Sequence, residues 1–244
     1  MGAISDARAT EPYETLSTTS PSGAYRVEQR PRWDDAVAIF DSSNRLLHSL
    51  PVTNVLQFCK WTGKYAEDFE VSTAGIDWHL NSLAFIADDD ATVFMRHRSG
   101  NVIAIDLAHG QSRPITPDEA TAADIRFREM AIPLLDSGKS GDRETGCIHC
   151  GQLGATQAVP RIQELLDDKA FFTVSGGHYP EPTAVLFVRK AAVVALSALG
   201  QPADQVHYEF PEREVVKWDM EISRYVVVLP PEETIALDAL SPAP

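Results

Sequence analysis

Short runs in which apolar and polar residues alternate fill the first half of the chain, and apolar residues spaced by three and four dominate the second. Alternation with period two marks half-buried strands, and the three-four spacing marks one face of a helix. "AYRVEQ" alternates, and "DDAVAIFDSSNRLLHSLPV" places apolar runs on either side of Ser-Ser-Asn-Arg, a hairpin pattern. "NVLQFCKW" and "DFEVST" continue as short β-type segments. "GIDWHLNSLAFIADDDATVFMRHRSGNVIAIDL" then predicts three strands with turns at Asp88-Asp89-Asp90 and Ser99-Gly100-Asn101. Two stretches echo each other. "DDAVAIFDSSNRLL" and "DDATVFMRHRSGNVI" share an Asp-Asp-Ala opening, an apolar strand, a Ser/Asn turn and a second strand, with Trp33 and Trp78 near the strand starts. Two such units are too few to close a propeller, so the expectation is an open antiparallel meander or small β-sandwich covered by helices.

"GQSRPITPDEA" ends the strands. Thr116 reads as a helix N-cap, with Pro117 in the first helical position and Glu119 three residues on, a capping box. Residues 118–136 then predict a helix with Ile125, Phe127, Met130, Leu134 and Leu135 as apolar positions, and Pro133 shortens or kinks it. "ETGCIHCGQLG" predicts a helix ending at Gly154, and "ATQAVPRIQELLDD" a second one with Val159, Ile162, Leu165 and Leu166 on one face. "TAVLFVRKAAVVALSALG" is apolar on most sides, as a helix buried between neighbours must be, and Gly200 stops it. "VHYEF" and "SRYVVVLP" predict strands again. The fold class expected is therefore α+β: an N-terminal antiparallel meander or sandwich, a helical layer, and C-terminal strands. The divisions are a flexible tail over 1–20, a β region over 21–112, a helical region over 117–200 with an inserted loop at 169–183, and an acidic region of strands and tail over 201–244.

The helical stretch resembles the HEAT-like repeat family, in the short variety also found in phycobilin lyases. Leu153-Gly154, Ala158-Val159-Pro160, Leu165-Leu166-Asp167-Asp168, Val188-Arg189, Ala191-Ala192, Ala195-Leu196 and Leu199-Gly200 carry the resemblance, over roughly residues 140–200. It implies helix pairs that bury their apolar faces by stacking and leave the other faces for binding. Fewer than two full repeats are visible, and strands replace the last helix. The pattern is also interrupted. Between Asp168 and Val188 stands "KAFFTVSGGHYPEPTAVLF", whose Phe171, Phe172, His178, Tyr179 and Glu181 are candidate partner-binding residues, joined by Glu209 and Glu212 beyond the helices. Large aromatic side chains carry much contact area at low entropy cost.

Charge narrows the partners. The 244 residues hold 21 basic and 35 acidic side chains, a formal charge of −14, which disfavours direct binding to nucleic acid or anionic membrane. It suits a basic protein partner, whose encounter an acidic surface steers. Past Gly200 three basic residues face nine acidic ones. No apolar run reaches membrane-spanning length and no secretory leader is visible, and three cysteines without a framework fit a reducing, cytoplasmic setting.

Catalytic chemistry finds little support. "CIHC" offers Cys147, His149 and Cys150 as weak metal candidates, yet zinc takes about four ligands and no second cluster has ligand spacing; buried thiols on one helix face are the expected reading. "GKSGD" lacks the upstream glycine of a phosphate loop. The aspartate triplet at 88–90 fits a turn, and His79, His97, His109 and His207 share no frame. The expectation is a protein-interaction module without a cofactor, one instance being a bacterial inhibitor or immunity protein bound to a basic toxin. A phycobilin-lyase-like or other small-ligand-handling enzyme is the alternative.

Overall fold

A computed structural model describes residues 15–30, 34–56, 81–176, 179–211, 216–220 and 224–227. The chain is α+β and divides into two compact units, the first ending at Met130 and the second beginning at Ala131.

The first unit is built from two four-stranded antiparallel sheets, each with its strands in chain order. One comprises β1 (Leu16–Thr19), β2 (Tyr25–Gln29), β3 (Val37–Asp41) and β4 (Leu46–Leu50). The other comprises β5 (Leu83–Ile86), β6 (Thr92–Arg96), β7 (Val102–Asp106) and β8 (Gln111–Arg113). The sequence echo is a structural one. The Asp-Asp-Ala openings precede β3 and β6, and both strands leave through the same turn. In the first, the Asn44 amide bonds the Asp41 carbonyl at 2.9 Å and the Asp41 amide bonds the Arg45 carbonyl at 3.0 Å; in the second, Gly100 bonds His97 and His97 bonds Asn101, each at 2.9 Å.

The sheets share one apolar core instead of closing a propeller. Val27, Val37, Ile39 and Leu50 from the first sheet meet Val93, Met95, Ile103 and Ile105 from the second. Helix α1 (Val52–Leu56) adds Val52 and Val55 to it. This helix replaces the strand expected at Asn54–Leu56: the Val55 amide bonds back to the Pro51 carbonyl at 3.1 Å, and two valines reach the core from one turn. The remainder of "NVLQFCKW", all of "DFEVST", both tryptophans of the echo and Cys59 lie outside the described residues.

Strand β6 is buried on both faces. Val93 and Met95 face the shared core. Phe94 lies 5.4 Å from Phe85, which meets Phe127 of helix α2 (Pro117–Leu134) edge-on at 5.0 Å. The Arg96 guanidinium, on the same side as Phe94, donates to Asp124 of α2 at 2.9 Å. A strand covered twice loses the alternation of a one-faced sheet, which is why "ATVFM" reads as a continuous apolar run.

The capping box of α2 forms as the sequence predicts. The Glu119 amide bonds Thr116 Oγ1 at 3.3 Å, and Glu119 Oε2 accepts from the Thr116 amide at 2.9 Å. Arg113 at the end of β8 donates to Glu119 at 2.6 Å, and that bond together with the cap holds the Glu119 carboxyl down at about 2. Pro133 sits in the last turn, where the chain tightens and the Leu135, Asp136 and Ser137 amides bond three residues back. A depressed carboxylate stabilises the fold above its ordinary value of 4.5 and loses that contribution as pH falls towards 2. Unfolding midpoints measured between pH 5 and pH 2 should fall less steeply in Glu119→Gln than in the parent chain. Thr116→Ala should cost about 1 kcal/mol at neutral pH. Parallel pH slopes in the parent and Glu119→Gln would mean that the cap is not what loses stability in acid.

The second unit contains α3 (Ser140–Gln152), α4 (Val159–Glu164) flanked by short 3-10 turns, and α5 (Phe187–Ala198). Between α4 and α5 the residues expected as a loop at 169–183 form a hairpin, β9 (Phe172–Gly176) and β10 (Tyr179–Val185). Phe172, Thr173 and Val174 favour a strand locally, and the partner on the far side of β10 comes only later in the chain. β11 (Glu209–Pro211) joins β10 on its other side, and β12 (Val216–Asp219) pairs with β13 (Arg224–Val227) as a separate two-stranded ribbon.

Candidate binding surface of the helical unit

Helices α3 and α5 end in the same way. In α3 the Ala155 amide bonds the Cys150 carbonyl at 2.9 Å and the Gly154 amide bonds Gly151 at 3.4 Å; in α5 the Gln201 amide bonds Leu196 at 2.8 Å and Gly200 bonds Ser197 at 3.1 Å. Both are Schellman ends with the glycine in the left-handed region, φ +63° at Gly154 and +72° at Gly200. Each Leu-Gly pair in the sequence is thus a helix stop of identical geometry. Between the two helices the backbones approach closely. A β-carbon at Gly151 would lie 2.7 Å from the Ala195 α-carbon, so this position has no room for a side chain.

Cys147, His149 and Cys150 are all fully buried. Burial pushes the Cys147 thiol well above its ordinary value and Cys150 up to about 12, so both are protonated thiols at neutral pH. Among the described residues no three His, Cys, Asp or Glu side chains are grouped so as to hold a metal ion.

A charged cluster ties the helices to the start of the hairpin. Arg143 of α3 donates through Nε to Asp168 at 2.7 Å and through Nη1 to the Ser137 carbonyl at 2.9 Å, while the other oxygen of Asp168 accepts from the Ala170 amide at 2.9 Å. The Asp168 side chain is only 7% exposed. Arg189 of α5 is fully buried and donates to the His207 carbonyl at 3.2 Å. Burial lowers its guanidinium to about 10, against the opposing pull of Asp167 and Asp168. Arg143 carries no mark in the residue pattern. Arg189 does carry one, since a lone arginine inside an otherwise apolar helix face must find a carboxylate or carbonyl.

The expected partner-binding residues fall into three groups. Phe171 and Phe172 are half-buried against their own unit: Phe171 packs on Ala184, Leu186 and Phe210, and Phe172 lies 5.6 Å from Phe187. Glu209 is exposed and pairs with Lys190 at 3.4 Å, whose ammonium also lies over the Tyr208 ring. Tyr179 and Glu181 are placed by backbone only, on β10, and His178 and Glu212 lie outside the described residues. The structure thus brings Phe171, Phe172 and Glu209 to one three-stranded sheet, with Glu209, Val185 and Phe172 in register across it.

Val194 on α5 is a large apolar side chain that is 59% exposed. No helix is long and apolar enough to cross a membrane. Comparison with characterised proteins and with solved structures finds no match. One family model matches part of the chain: residues 148–168, which run from the second half of α3 through α4 to Asp168, are similar to the PBS lyase HEAT-like repeat.

Proposed function

We propose that this chain is a cytoplasmic protein-binding module that holds a basic protein partner on its helical unit and hairpin. One instance is a bacterial inhibitor that masks a basic toxin, as an immunity protein does. The observation that carries the reading is the HEAT-like repeat at 148–168 with a hairpin directly after it. A repeat of this kind stacks a helix pair and leaves its outer faces for contact. Here the hairpin has two aromatic residues at its base, in a chain of formal charge −14. Acidity of that size speeds encounter with a cationic protein. A phycobilin-lyase-like or other small-ligand-handling role would draw on Cys147 or Cys150, and burial keeps both as unreactive thiols.

Affinity capture from the source cell, with the full chain as bait, tests this. His178→Ala with Tyr179→Ala should release a basic partner at least tenfold more readily, with an unchanged unfolding midpoint, since contact residues near an interface centre dominate binding. Recovery of the same proteins by both baits would remove the hairpin tip from the site. Recovery of none, together with a spectral shift on adding a tetrapyrrole, would favour the ligand-handling reading.

A further inference from the structure

The sheet β11-β10-β9 has two unlike edges. β11 is three residues long and carries Glu209 and Pro211, the features that keep a strand edge from pairing with another chain. β9 is five residues long, "FTVSG", with no charge and no proline. Among the described residues it pairs only with β10.

The register sets the direction of its outward groups. The Leu186 amide bonds the Tyr208 carbonyl at 2.9 Å, so Leu186 directs its main-chain groups towards the β11 side. Main-chain direction alternates along a strand, so Ala184 also points to β11, and Val185 and Thr183 point to β9. Val185 is opposite Phe172, Ala184 opposite Thr173, and Thr183 opposite Val174. Phe172 and Val174 are therefore the residues bonded to β10, and Thr173 and Ser175 turn their N–H and C=O groups to the outer edge. Thr173 Oγ1 is buried and has no hydrogen-bond partner among the described residues.

We infer that β9 is a strand-addition site: an extended segment of a basic partner protein pairs with the outer edge of β9 and bonds the main-chain groups of Thr173 and Ser175. This rests on the protein-binding reading above and names how that site recognises its partner. Main-chain bonds supply affinity in this mode, and side-chain pockets on either face supply selectivity. A second copy of this chain is the poorer occupant. Pairing two five-residue edges buries far less than the roughly 1,000 Å² that a specific interface needs, and two chains of charge −14 repel. The charge that opposes a copy favours a cationic strand.

Hydrogen exchange on the full chain tests the inference, with an octapeptide of alternating lysine and valine at millimolar concentration as the probe and a glutamate–valine peptide as control. The lysine peptide should slow the Thr173 and Ser175 amides about tenfold and leave the Phe172 and Val174 amides, already bonded to β10, as they were. The glutamate peptide should do nothing. Thr173→Pro removes an outward N–H and no ladder bond, so it should keep its unfolding midpoint and lose the effect. Val174→Pro breaks the ladder and should lower the midpoint. Three results would overturn the proposal: Thr173 and Ser175 amides as protected as Val174 without peptide, protection that rises with protein concentration alone, or no response to the lysine peptide. Capture with the Thr173→Pro bait separates this from the broader reading. A basic partner retained by that bait, yet released by the His178 and Tyr179 substitutions, leaves the hairpin as the site and removes strand addition.

Discussion

Gly151→Val should lower the unfolding midpoint of the helical unit by about 10 °C, a loss of about 3 kcal/mol. A β-carbon at this position would stand 2.7 Å from the Ala195 α-carbon and 3.0 Å from its β-carbon. The obstacle is backbone on the facing helix, so no rotamer relieves it and α3 and α5 must move apart. Their separation would loosen the packing around Cys147 and Cys150, both fully buried. Glycine also lowers helix propensity, and replacing it by alanine returns about 1 kcal/mol. Gly151→Ala should therefore destabilise less than Gly151→Val. Gly154→Ala is the control, because nothing lies within 4 Å of its β-carbon and only its left-handed backbone resists. It should cost about 1 kcal/mol. Thermal unfolding followed by the helical circular dichroism signal measures all three. A Gly151→Val midpoint within about 2 °C of the parent, less than a 1 kcal/mol change would give, would show that the helix contact yields without cost, and that the small residues of the repeat are not there for close approach.

Removing the carboxylate of Asp168 should be comparably severe. Asp168→Ala leaves Arg143, 18% exposed at its side chain, without its ion-pair partner, and takes one of the two opposing carboxylates away from buried Arg189. Breaking one side of a buried pair costs about 3 kcal/mol, because the surviving charge stays desolvated. The Ala170 amide loses its acceptor as well. Asp168→Asn keeps an acceptor for that amide and should fall between the two. Urea unfolding gives the magnitude, and a double substitution gives the cause. Arg143→Met with Asp168→Leu removes both charges and should recover most of the loss. If the double variant is as unstable as Asp168→Ala, the damage comes from the lost cap on Ala170 and not from an orphaned guanidinium.

Both residues lie within or at the end of the segment that matches the HEAT-like repeat, and they do different work in it. Gly151 lets two helices touch. Asp168 fastens the end of the repeat to the helix before it and starts the turn into the hairpin. The helix pair carries a hairpin whose β9, among the described residues, pairs only with β10, and under the proposed function this scaffold would hold the edge in place for a partner, since loops and edges bind best when their scaffold does not move. Phe171 and Phe172 belong more to that base than to its contact surface, because their rings pack on Leu186, Phe210 and Phe187.

Much of this architecture was already legible in the residue order. Local rules placed β2 to β7, because their apolar residues and turn residues are contiguous in the chain. The capping box at Thr116 and Glu119 and the two Leu-Gly helix stops are also local. They are short-range hydrogen-bond devices, and the residues that make them sit within a few positions of one another. The repeat resemblance was legible for the same reason, since a helix pair is one continuous stretch.

Tertiary structure decided the rest. Val52 and Val55 form a helix because one turn brings both into a core shared by two sheets. The interruption at 169–183 forms a hairpin because β10 finds β11 more than twenty residues later along the chain. Whether Phe172 faces a partner or Phe187 depends on a helix that starts only after the hairpin. The place of β9 at the edge of its sheet among the described residues and the pairing of Arg143 with Asp168 likewise require knowing what lies opposite. A sequence records what is near along the chain. Pairing across a sheet, burial of a charge and the approach of two backbones depend on distance through space, which only the folded chain defines.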